Sequence, residues 1–538
     1  MKYKTLSVRI VFLLAIMLFG MTGCGQTEDF TEKPKILKSA TYFGDEWVMN
    51  FWNSEMDDLE ADMEQIREDG FNSIIVAVPW REFQPQMDPV GYNDHALAQL
   101  DKVMSAAKEA GLWVSLRVGY TWDYYEDGTH VRDRYRNIPG DKNLLAAWDD
   151  YVKTIYERAN DHGNLYGGFI TWEDFWHFVF YTSEQGREEQ SIAFAQFTGF
   201  TDYIRENYTL EEIEPLYGED FTDYDQVYYP EKNQPALRLM YEYFDVWLNG
   251  FLAHTQEIFP ELSLEARMDM DLVYDMEGNQ YWYGHEATYP CANAPYVSLM
   301  YGVPMGHINQ GERLDAAEAL VTTQQMLDHV LHYTEGKKLY IEQFLYMDNT
   351  PGFEHNAQLK EEQLDDYIVA CADLFKDRIM GYGVWAYKNY ADNLIYNPQF
   401  ALGDDGWTFE GGVEAIEHNG SMQAKLPVGG RLYRDIERET ALTYVSFTVD
   451  GDKPVTLQVS LGDNTTEVHV GAGSLGHGDA IQLVFDQGGN GLSFTSDVLC
   501  YIDNVKIYNR IHEGQLYDLD GQELSCIDAI RKLNRKLK

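Results

Sequence analysis

One unit, an amphipathic helix followed by a glycine and then a buried strand, recurs along the first part of the chain. Its first copy has Leu59, Met63 and Ile66 at helical spacing, then Gly70, then the apolar run 74–78. The spacing of three to four residues is that of one face of a helix. A run that is apolar at nearly every position is expected of a strand buried on both faces.

The unit returns at Gly111 and again beyond residue 316, which predicts an α/β fold with parallel strands. Both a doubly wound sheet and a closed barrel fit this pattern. No Gly-x-Gly-x-x-Gly motif follows the first strand, which disfavours a nucleotide-binding sheet. Eight strands can be counted, and eight is the number that closes a (β/α)8 or TIM barrel. The predicted strands are 40–43, 73–78, 113–118, 168–171, 263–268, 296–300, 339–343 and 381–385.

After residue 393 the pattern changes to short runs of alternating apolar and polar residues, such as 443–451 and 455–463. Alternation of this kind, bounded by Gly, Asp and Asn, is typical of antiparallel strands with one buried face. We therefore predict two domains, a (β/α)8 barrel over 37–393 and an antiparallel β-sandwich (jelly roll) over 394–510. The last segment, 511–538, is predicted to be an appendage that ends in a short basic helix.

The first residues are predicted to be a secretory signal rather than part of a fold. Lys2, Lys4 and Arg9 precede the apolar run 10–19, and a glycine followed by Cys24 comes next. A basic start, a short apolar core and a small residue before the cleavage point describe such a signal. The glycine–cysteine pair resembles the bacterial lipobox, whose cysteine is lipidated; an ordinary signal peptide is the alternative. The predicted boundaries are 1–24 for the signal and lipobox and 25–36 for a polar linker.

The expected location follows from this segment and from the charge. A lipidated chain would be held at the extracellular face of a bacterial cell membrane, and an unlipidated one would be secreted. The formal net charge is −47, so nucleic acid and anionic membrane surfaces are poor partners. We expect membrane contact only through the lipid anchor. Aromatic residues make up 14% of the chain, and flat rings suit the apolar faces of sugars, so carbohydrate is the expected substrate.

The remaining cysteines give no metal-type pattern. They are widely spaced along the chain, and buried thiols are the simplest interpretation. A disulfide between Cys500 and Cys526 is the alternative. The four cysteines are Cys291, Cys371, Cys500 and Cys526.

The ends of the predicted barrel strands carry tryptophan, arginine and glutamate, where turn residues such as Asn, Asp or Gly are usual. In a (β/α)8 barrel the active site lies at these carboxyl ends. We therefore treat these side chains, and other aromatics of the adjoining loops, as candidate substrate-binding residues. They are Trp80, Arg81, Arg117, Trp122, Trp172, Tyr301, Trp385 and Tyr387.

Two glutamates are candidates for catalysis. Glu173 ends the predicted fourth strand, and Glu342 lies within the predicted seventh, on the same face as Tyr340. A glutamate in a buried strand costs several kcal/mol unless it is paired or hydrogen-bonded, so it needs a reason. Two acids facing each other across a barrel mouth suit glycoside hydrolysis, in which one protonates the leaving oxygen while the other attacks the anomeric carbon. In the alternative interpretation each glutamate only pairs with an arginine, and the arginines in question are Arg81, Arg117 and Arg267.

A third acid, Asp174, follows Glu173 directly. On an extended strand, neighbouring side chains point to opposite faces. We therefore expect Asp174 to point away from Glu173.

Several segments resemble those of a clan A glycoside hydrolase, most closely the family 42 β-galactosidase type. The matching segments are GFNSIIVAVPWREFQP, LDKVMSAAKEAGLWVSL, FTGFTDYIRENYTLEEIEPLYGEDF and NQPALRLMYEYF, which together run through much of the barrel. Carried over by position, Glu173 resembles the acid/base and Glu342 the nucleophile of that family. Trp385 resembles its sugar-stacking tryptophan, and Tyr301 is similar to a residue that holds the nucleophile.

Two departures from the family matter. Trp172 stands where the family has an asparagine that holds the sugar 2-hydroxyl. Ile75 and Val76 stand where its second strand has an arginine, so Arg117 or Arg81 is expected to replace it. The C-terminal segments NLIYNPQFALGDDGWTFEGG and CYIDNVKIYNR resemble jelly-roll carbohydrate-binding modules. Carbohydrate binding is one expectation for that domain, and bracing of the barrel is the other.

The sequence and the resemblance together predict a retaining β-glycosidase that cleaves β-linked oligo- or polysaccharides by double displacement. No cofactor and no metal are expected. One alternative is a catalytically inactive surface glycan-binding lipoprotein, which Trp172 in place of asparagine favours. A second alternative is an endo-acting polysaccharide hydrolase.

Overall fold

The computed structural model describes residues 30–56, 58–122, 131–175, 178, 182, 189–266, 271–289, 294–302, 313–347, 358–436, 442–471, 480–508 and 510–537. Contacts divide the chain into two compact units, 1–33 and 34–538. Everything described below belongs to the second unit. No helix of the described residues is long and apolar enough to cross a membrane. Cys24 and the predicted signal, like Cys291 and Arg267, lie outside the described residues.

Eight parallel strands close into a barrel, in the order β1-β8-β7-β6-β5-β4-β3-β2. Neighbouring strands pair in register over most of their length, as between β2 and β3, where Ser73 pairs with Trp113 and Val78 with Val118. This confirms the predicted (β/α)8 barrel. The strands are β1 (Leu37–Thr41), β2 (Ser73–Val78), β3 (Trp113–Val118), β4 (Leu165–Ile170), β5 (Leu262–Ala266), β6 (Tyr296–Gly302), β7 (Lys338–Leu345) and β8 (Ile379–Val384).

Helices cover the outside of the barrel, and several start at side chains that cap their first backbone N–H groups. Asn93 caps the long helix between β2 and β3, and Asp141 caps the long helix between β3 and β4. The helices are α1 (Val48–Phe51), α2 (Leu59–Glu68), α3 (Trp80–Phe83), α4 (Asp94–Glu109), α5 (Val131–Asn137), α6 (Lys142–Asp161), α7 (Glu189–Thr198), α8 (Phe200–Asn207), α9 (Leu210–Tyr217), α10 (Leu237–Thr255), α11 (Ala316–Tyr333), α12 (Leu364–Phe375) and α13 (Ile527–Lys536).

The connection from β5 to β6 differs from the regular barrel. Its described part contains an antiparallel hairpin, Asp271–Tyr274 with Gln280–Tyr283, and a single 3-10 turn, Glu286–Thr288, in place of an α-helix. Other two-stranded ladders are Gln86–Met87 with Val90–Gly91, Arg313–Leu314 with Gln358–Leu359, and Tyr390–Ala391 with Ile511–His512.

The C-terminal helix α13 supplies the outer helix that should follow β8. Its Ile530 and Leu533 are fully buried in the core of the barrel. Tyr382 of β8 donates a hydrogen bond to Asn534 Oδ1 over 2.6 Å, and Asn534 Nδ2 donates to the carbonyl oxygen of Asp69 over 3.0 Å. The segment expected to be an appendage is therefore part of the barrel, and the second domain lies between β8 and α13 in sequence.

The second domain is a β-sandwich of two antiparallel five-stranded sheets, as predicted. The first sheet has the order β9-β12-β17-β14-β15, and the second has the order β10-β11-β18-β13-β16. Their facing sides form a separate core that contains Phe447 and Phe494. The strands are β9 (Thr408–Glu410), β10 (Glu414–His418), β11 (Ser421–Leu426), β12 (Arg431–Arg434), β13 (Thr443–Asp450), β14 (Val455–Leu461), β15 (Asn464–Val470), β16 (Ile481–Phe485), β17 (Leu492–Ser496) and β18 (Cys500–Tyr508).

Polar contacts join the sandwich to the βα loops of the barrel. Lys506 of β18 forms an ion pair with the buried carboxylate of Glu46, in the loop after β1. Arg81 stacks its guanidinium on the ring of Tyr396, with 3.9 Å between the guanidinium carbon and the ring centroid. The sandwich thus packs beside the end of the barrel that carries the strand carboxyl termini.

The described cysteines are buried thiols. Cys371, Cys500 and Cys526 are free. The buried-thiol interpretation is confirmed for these three, and the alternative disulfide between Cys500 and Cys526 does not form.

Candidate active site

The centre of the candidate site is the guanidinium of Arg117, which lies near the end of β3 and is 3% exposed. Its Nη2 donates to Glu173 Oε2 over 2.8 Å and to Asp174 Oδ1 over 3.2 Å. The same nitrogen donates to Thr171 Oγ1 over 3.1 Å. Three residues that follow β4 therefore converge on one side chain of β3, at the edge where a barrel carries its active site.

Glu173 and Asp174 lie on the same side, contrary to the expectation of opposite sides. Residues Glu173–Phe175 form a 3-10 turn, so the chain is no longer extended and the alternation of side chains is lost. Thr171 stabilises this arrangement, because its hydroxyl donates to Asp174 Oδ2 over 2.6 Å and accepts from the Asp174 backbone N–H over 3.2 Å. Burial raises the pKa of Asp174, and the positive charge of Arg117 opposes that rise.

Glu342 is the buried carboxylate of the site. It lies on β7, is 2% exposed, and its Oε1 has no hydrogen-bond partner among the described residues. Burial raises the pKa of Glu342 to about 8, with Arg117 lowering it and the negative charges of Glu173 and Asp174 raising it further. These four side chains therefore lie within electrostatic reach of one another. Strands β4 and β7 bring their carboxylates to the same end of the barrel.

The charges of this cluster favour a bound proton at neutral pH. Three carboxylates share the single guanidinium of Arg117, and Glu173 and Asp174 both pair with it directly. A buried carboxylate without a partner favours its neutral form. Because burial raises the pKa of Glu342 to about 8, the free site at pH 7 favours a proton on Glu342.

An aromatic wall adjoins the carboxylates, and it consists of Phe43, Trp47, Tyr120 and Trp385. Trp385, at the end of β8, lies 5.3 Å from Phe43 and 6.2 Å from Trp47 between ring centroids. Trp47 lies 5.9 Å from Tyr120, and the guanidinium carbon of Arg117 lies 4.7 Å from the Tyr120 ring centroid. The half-buried Trp385 is thus connected through two rings to the centre of the site.

The wall includes residues that sequence reasoning missed. Trp47 follows β1 and Tyr120 follows β3, so the search for aromatic residues at strand exits could have found both. Trp122 is half-buried at the rim, and its carbonyl oxygen accepts from Trp47 Nε1 over 2.8 Å. Trp122 therefore belongs to the surroundings of the wall.

Several predicted substrate-binding residues are structural, which corrects the prediction. Trp80 is fully buried against Trp148 and donates to Gln84 Oε1 over 2.8 Å, so no ring face is left for a sugar. Tyr387 is buried and donates to Asp69 Oδ2 over 2.8 Å, beside the C-terminal segment. Because both side chains are buried in these contacts, neither offers a surface to a substrate.

Tyr301, Arg81 and Trp172 also differ from their predicted roles. Tyr301 points outward from β6 and donates to Thr323 of α11 over 3.1 Å, so it does not hold Glu342. Arg81 packs on Tyr396 at the junction with the sandwich and does not replace the missing arginine. Trp172 is fully buried on the outer side of β4, so it is not a sugar platform.

The described residues contain no group of three or more His, Cys, Asp or Glu side chains placed to hold a metal ion.

Comparison with known proteins gives no family. No family model matches the chain, and no curated protein matches it. Among solved structures, it is similar to the exo-beta-1,4-mannosidase Op5Man5 from Opitutaceae bacterium strain TAV5, with 14% identity, 66% of this chain and 52% of that chain covered, and a TM-score of 0.39. It is also similar to a beta-galactosidase from the psychrophilic Marinomonas ef1, with 12% identity, coverage of 66% and 54%, and a TM-score of 0.44.

A third similar structure is GH5_18 from Streptomyces cattleya in complex with GlcNAc, with 13% identity, 66% of this chain and 72% of that chain covered, and a TM-score of 0.42. The chain spans about half the length of the mannosidase and of the galactosidase.

Proposed function

We propose that the protein is a retaining β-glycosidase that acts on β-linked oligo- or polysaccharides. The observation that carries the proposal is that two glutamates from distant strands lie near one arginine. Glu173 follows β4 and pairs with Arg117, and Glu342 lies on β7 within electrostatic reach of both. Retaining hydrolysis needs two carboxylic acids on either side of the glycosidic bond, about 5–5.5 Å apart.

The exposure of the two glutamates supports their different roles. The side chain of Glu173 is 26% exposed, so the leaving-group oxygen and later a water molecule can reach it. Glu342 is 2% exposed and lies deeper in the barrel mouth, where the anomeric carbon would face it. Glu173 would protonate the leaving oxygen while Glu342 forms the glycosyl-enzyme, and Glu173 would then remove a proton from the attacking water.

The reaction requires the proton of the free site to change its position. In the free site the raised pKa of Glu342 favours the proton on Glu342, while Glu173 is paired with Arg117. Double displacement starts with a protonated Glu173 and a charged Glu342. Both arrangements hold one proton in total, so only the position of the proton differs. We infer that this second arrangement is the reactive one, since positive charge that develops at the anomeric carbon in the transition state stabilises a charged Glu342.

The surroundings support a neutral sugar chain as substrate. The protein carries a formal net charge of −47, which disfavours anionic glycans. Trp385 is the half-buried ring of the aromatic wall, and it is the residue we propose as a sugar platform. No cofactor is needed for double displacement by two carboxylates.

The test is hydrolysis of aryl β-galactosides, β-glucosides and β-mannosides by the wild type and by Glu173→Gln and Glu342→Gln. We expect the wild type to hydrolyse at least one of these substrates and Glu342→Gln to lose about 10⁴-fold or more in kcat, because it has no nucleophile. Glu82→Gln is the matched control. Glu82 is fully buried after β2 and accepts from Asn53 over 2.6 Å, outside the proposed site.

The outcomes separate the enzyme from its alternatives. Glycan binding without hydrolysis, unchanged in Glu342→Gln, would favour a surface glycan-binding protein. Release of internal fragments from a polysaccharide would favour an endo-acting hydrolase. Loss of activity in Glu82→Gln as large as in Glu342→Gln would mean that any buried glutamate is needed for folding, and the assignment of Glu342 would lose its support.

We further propose that Cys24 carries a lipid anchor that holds the protein at the outer face of a bacterial membrane. The support is the sequence alone, namely the basic start, the apolar run 10–19 and the glycine before Cys24. Expression with a radiolabelled fatty acid tests it. We expect the label in the wild type and its absence in Cys24→Ser, whereas equal labelling of both proteins would contradict the anchor.

A further inference from the structure

Trp172, the residue directly before Glu173, is anchored to the helix layer outside the barrel. Its indole Nε1 donates to Asp245 Oδ1 on α10 over 3.0 Å. His285 Nδ1 lies 3.0 Å and 3.1 Å from the two carboxylate oxygens of the same Asp245. Trp172, Asp245 and His285 are all 0% exposed. A strand end is thus joined to α10 by a fully buried polar network.

Such a network is rigid, because breaking it would leave buried polar groups without hydrogen bonds, which costs free energy. A buried carboxylate needs hydrogen-bond partners, and here an indole N–H and an imidazole satisfy Asp245. The indole ring is also held by packing, with its centroid 5.2 Å from Phe244 and 5.0 Å from His285 in edge-to-face arrangements. The position of Trp172 is therefore fixed by both directional bonds and ring contacts.

The anchor fixes the backbone on which Glu173 is carried. On the inner side of β4, Thr171, Asp174 and Arg117 hold the turn and the carboxylate of Glu173. On the outer side, Trp172 holds the adjacent peptide through Asp245. Glu173 lies between these two sets of contacts.

We propose that Trp172, Asp245 and His285 are positioning residues for the general acid Glu173. They touch no substrate and act through the backbone of the turn. The proposal rests on the proposed glycosidase function, in which Glu173 must reach the leaving oxygen at hydrogen-bond distance. A displacement of about 1 Å at such a group can cost roughly 10²-fold in rate.

The test uses Trp172→Phe, which removes the indole N–H and keeps an aromatic ring. The matched control is Trp148→Phe. Trp148 is also fully buried, and its Nε1 donates to Thr255 Oγ1 on the same helix α10 over 3.1 Å, but it lies on α6 and precedes no site residue. Both variants lose one buried hydrogen bond to α10.

The readout is the dependence of kcat on the leaving group. Aryl glycosides with a good leaving group need little protonation, whereas those with a poor leaving group depend on the acid. We expect Trp172→Phe to lower kcat about tenfold or more on poor leaving groups, with little change on 2,4-dinitrophenyl glycosides and in KM. Asp245→Asn should give the same pattern, and Trp148→Phe should affect all substrates equally.

A second measurement does not depend on activity. A double-mutant cycle compares the Tm values of Trp172→Phe, Glu173→Gln and the double variant with that of the wild type. A control cycle replaces Trp172→Phe by Trp148→Phe. We expect shifts in Tm that are non-additive for the Trp172 cycle and additive for the Trp148 cycle. Equal losses on all leaving groups, or additive shifts in the Trp172 cycle, would overturn the proposal. A wild type that hydrolyses no glycoside would overturn the proposed function, and the cycle would still decide whether the anchor is coupled to Glu173.

Discussion

The burial of Glu342 predicts that replacing it stabilises the protein at high pH. The change is Glu342→Gln, which keeps the shape of the side chain and removes its charge. In the folded protein the pKa of Glu342 is raised from 4.5 to about 8, chiefly by burial. In the unfolded chain the same carboxyl group is solvated and ionises near its ordinary pKa.

The magnitude follows from this shift. Below pH 4.5 the carboxyl group is neutral in both states, so Glu342 costs no stability there. Between pH 4.5 and 8 the folded state keeps the proton that the unfolded state has lost, so the free energy of unfolding falls by about 1.4 kcal/mol per pH unit. The loss amounts to roughly 5 kcal/mol at pH 8 and then levels off, because the folded state ionises too. Glutamine has no proton to lose and avoids this cost.

The assay is thermal unfolding of the wild type and Glu342→Gln at several pH values between 4 and 9. We expect similar Tm values near pH 4.5 and an advantage for Glu342→Gln that grows towards pH 8. Glu60→Gln is the control, since Glu60 is exposed on α2 and its carboxylate is solvated in both states. A difference in Tm between wild type and Glu342→Gln that stays constant from pH 5 to pH 8 would refute the burial argument.

Three further predictions concern the site and the fold. The site loses its shared proton as the pH rises through the Glu342 pKa of about 8. We therefore expect kcat/KM, measured from pH 5 to 10, to fall above pH 8 with a slope that approaches tenfold per pH unit. A flat profile up to pH 10 would count against a shared proton. Arg117→Lys keeps the positive charge but loses the two-pronged hydrogen bonding to Asp174. We expect kcat to fall about 10- to 100-fold while the circular dichroism spectrum stays unchanged. Full activity of this variant would contradict the role of Arg117 in the site. Leu533→Ala should lower the free energy of unfolding by about 2–5 kcal/mol, because Leu533 is buried in the barrel core. Lys532 is exposed on the same helix, so Lys532→Ala should have little effect. Equal effects of the two substitutions in urea denaturation would contradict the position of α13 in the barrel.

The strands of the barrel could be predicted because they are buried on both faces. A strand such as Ser73–Val78 is buried at every position, so its apolar run stands out in the sequence. The place of α13 could not be predicted, since its contact between Asn534 and Asp69 spans 465 residues. An amphipathic helix does not indicate which surface it covers.

Within the site, Glu342 was predicted from strand alternation and Glu173 from its place at a strand end. The role predicted for Tyr301 was wrong because alternation was not applied to β6. Tyr296 and Tyr340 pack together inside the barrel. Side chains alternate between the inner and outer faces along β6, and Tyr301 lies an odd number of positions after the inward-facing Tyr296. Tyr301 should therefore point outward, as its hydrogen bond to Thr323 shows. The approach of Asp174 to Arg117 could not be predicted, because it depends on a 3-10 turn that begins where β4 ends.

The central claim is that Glu342 forms a covalent bond with the sugar while Glu173 serves as acid and base. The most direct test is incubation with a panel of 2,4-dinitrophenyl 2-deoxy-2-fluoro-β-glycosides, followed by mass spectrometry of the intact protein and of its peptides. We predict the addition of one fluorosugar, located on Glu342, and no addition to Glu342→Gln. A label on Glu173 or elsewhere, or hydrolysis of the parent glycoside with inversion and no label, would contradict the account.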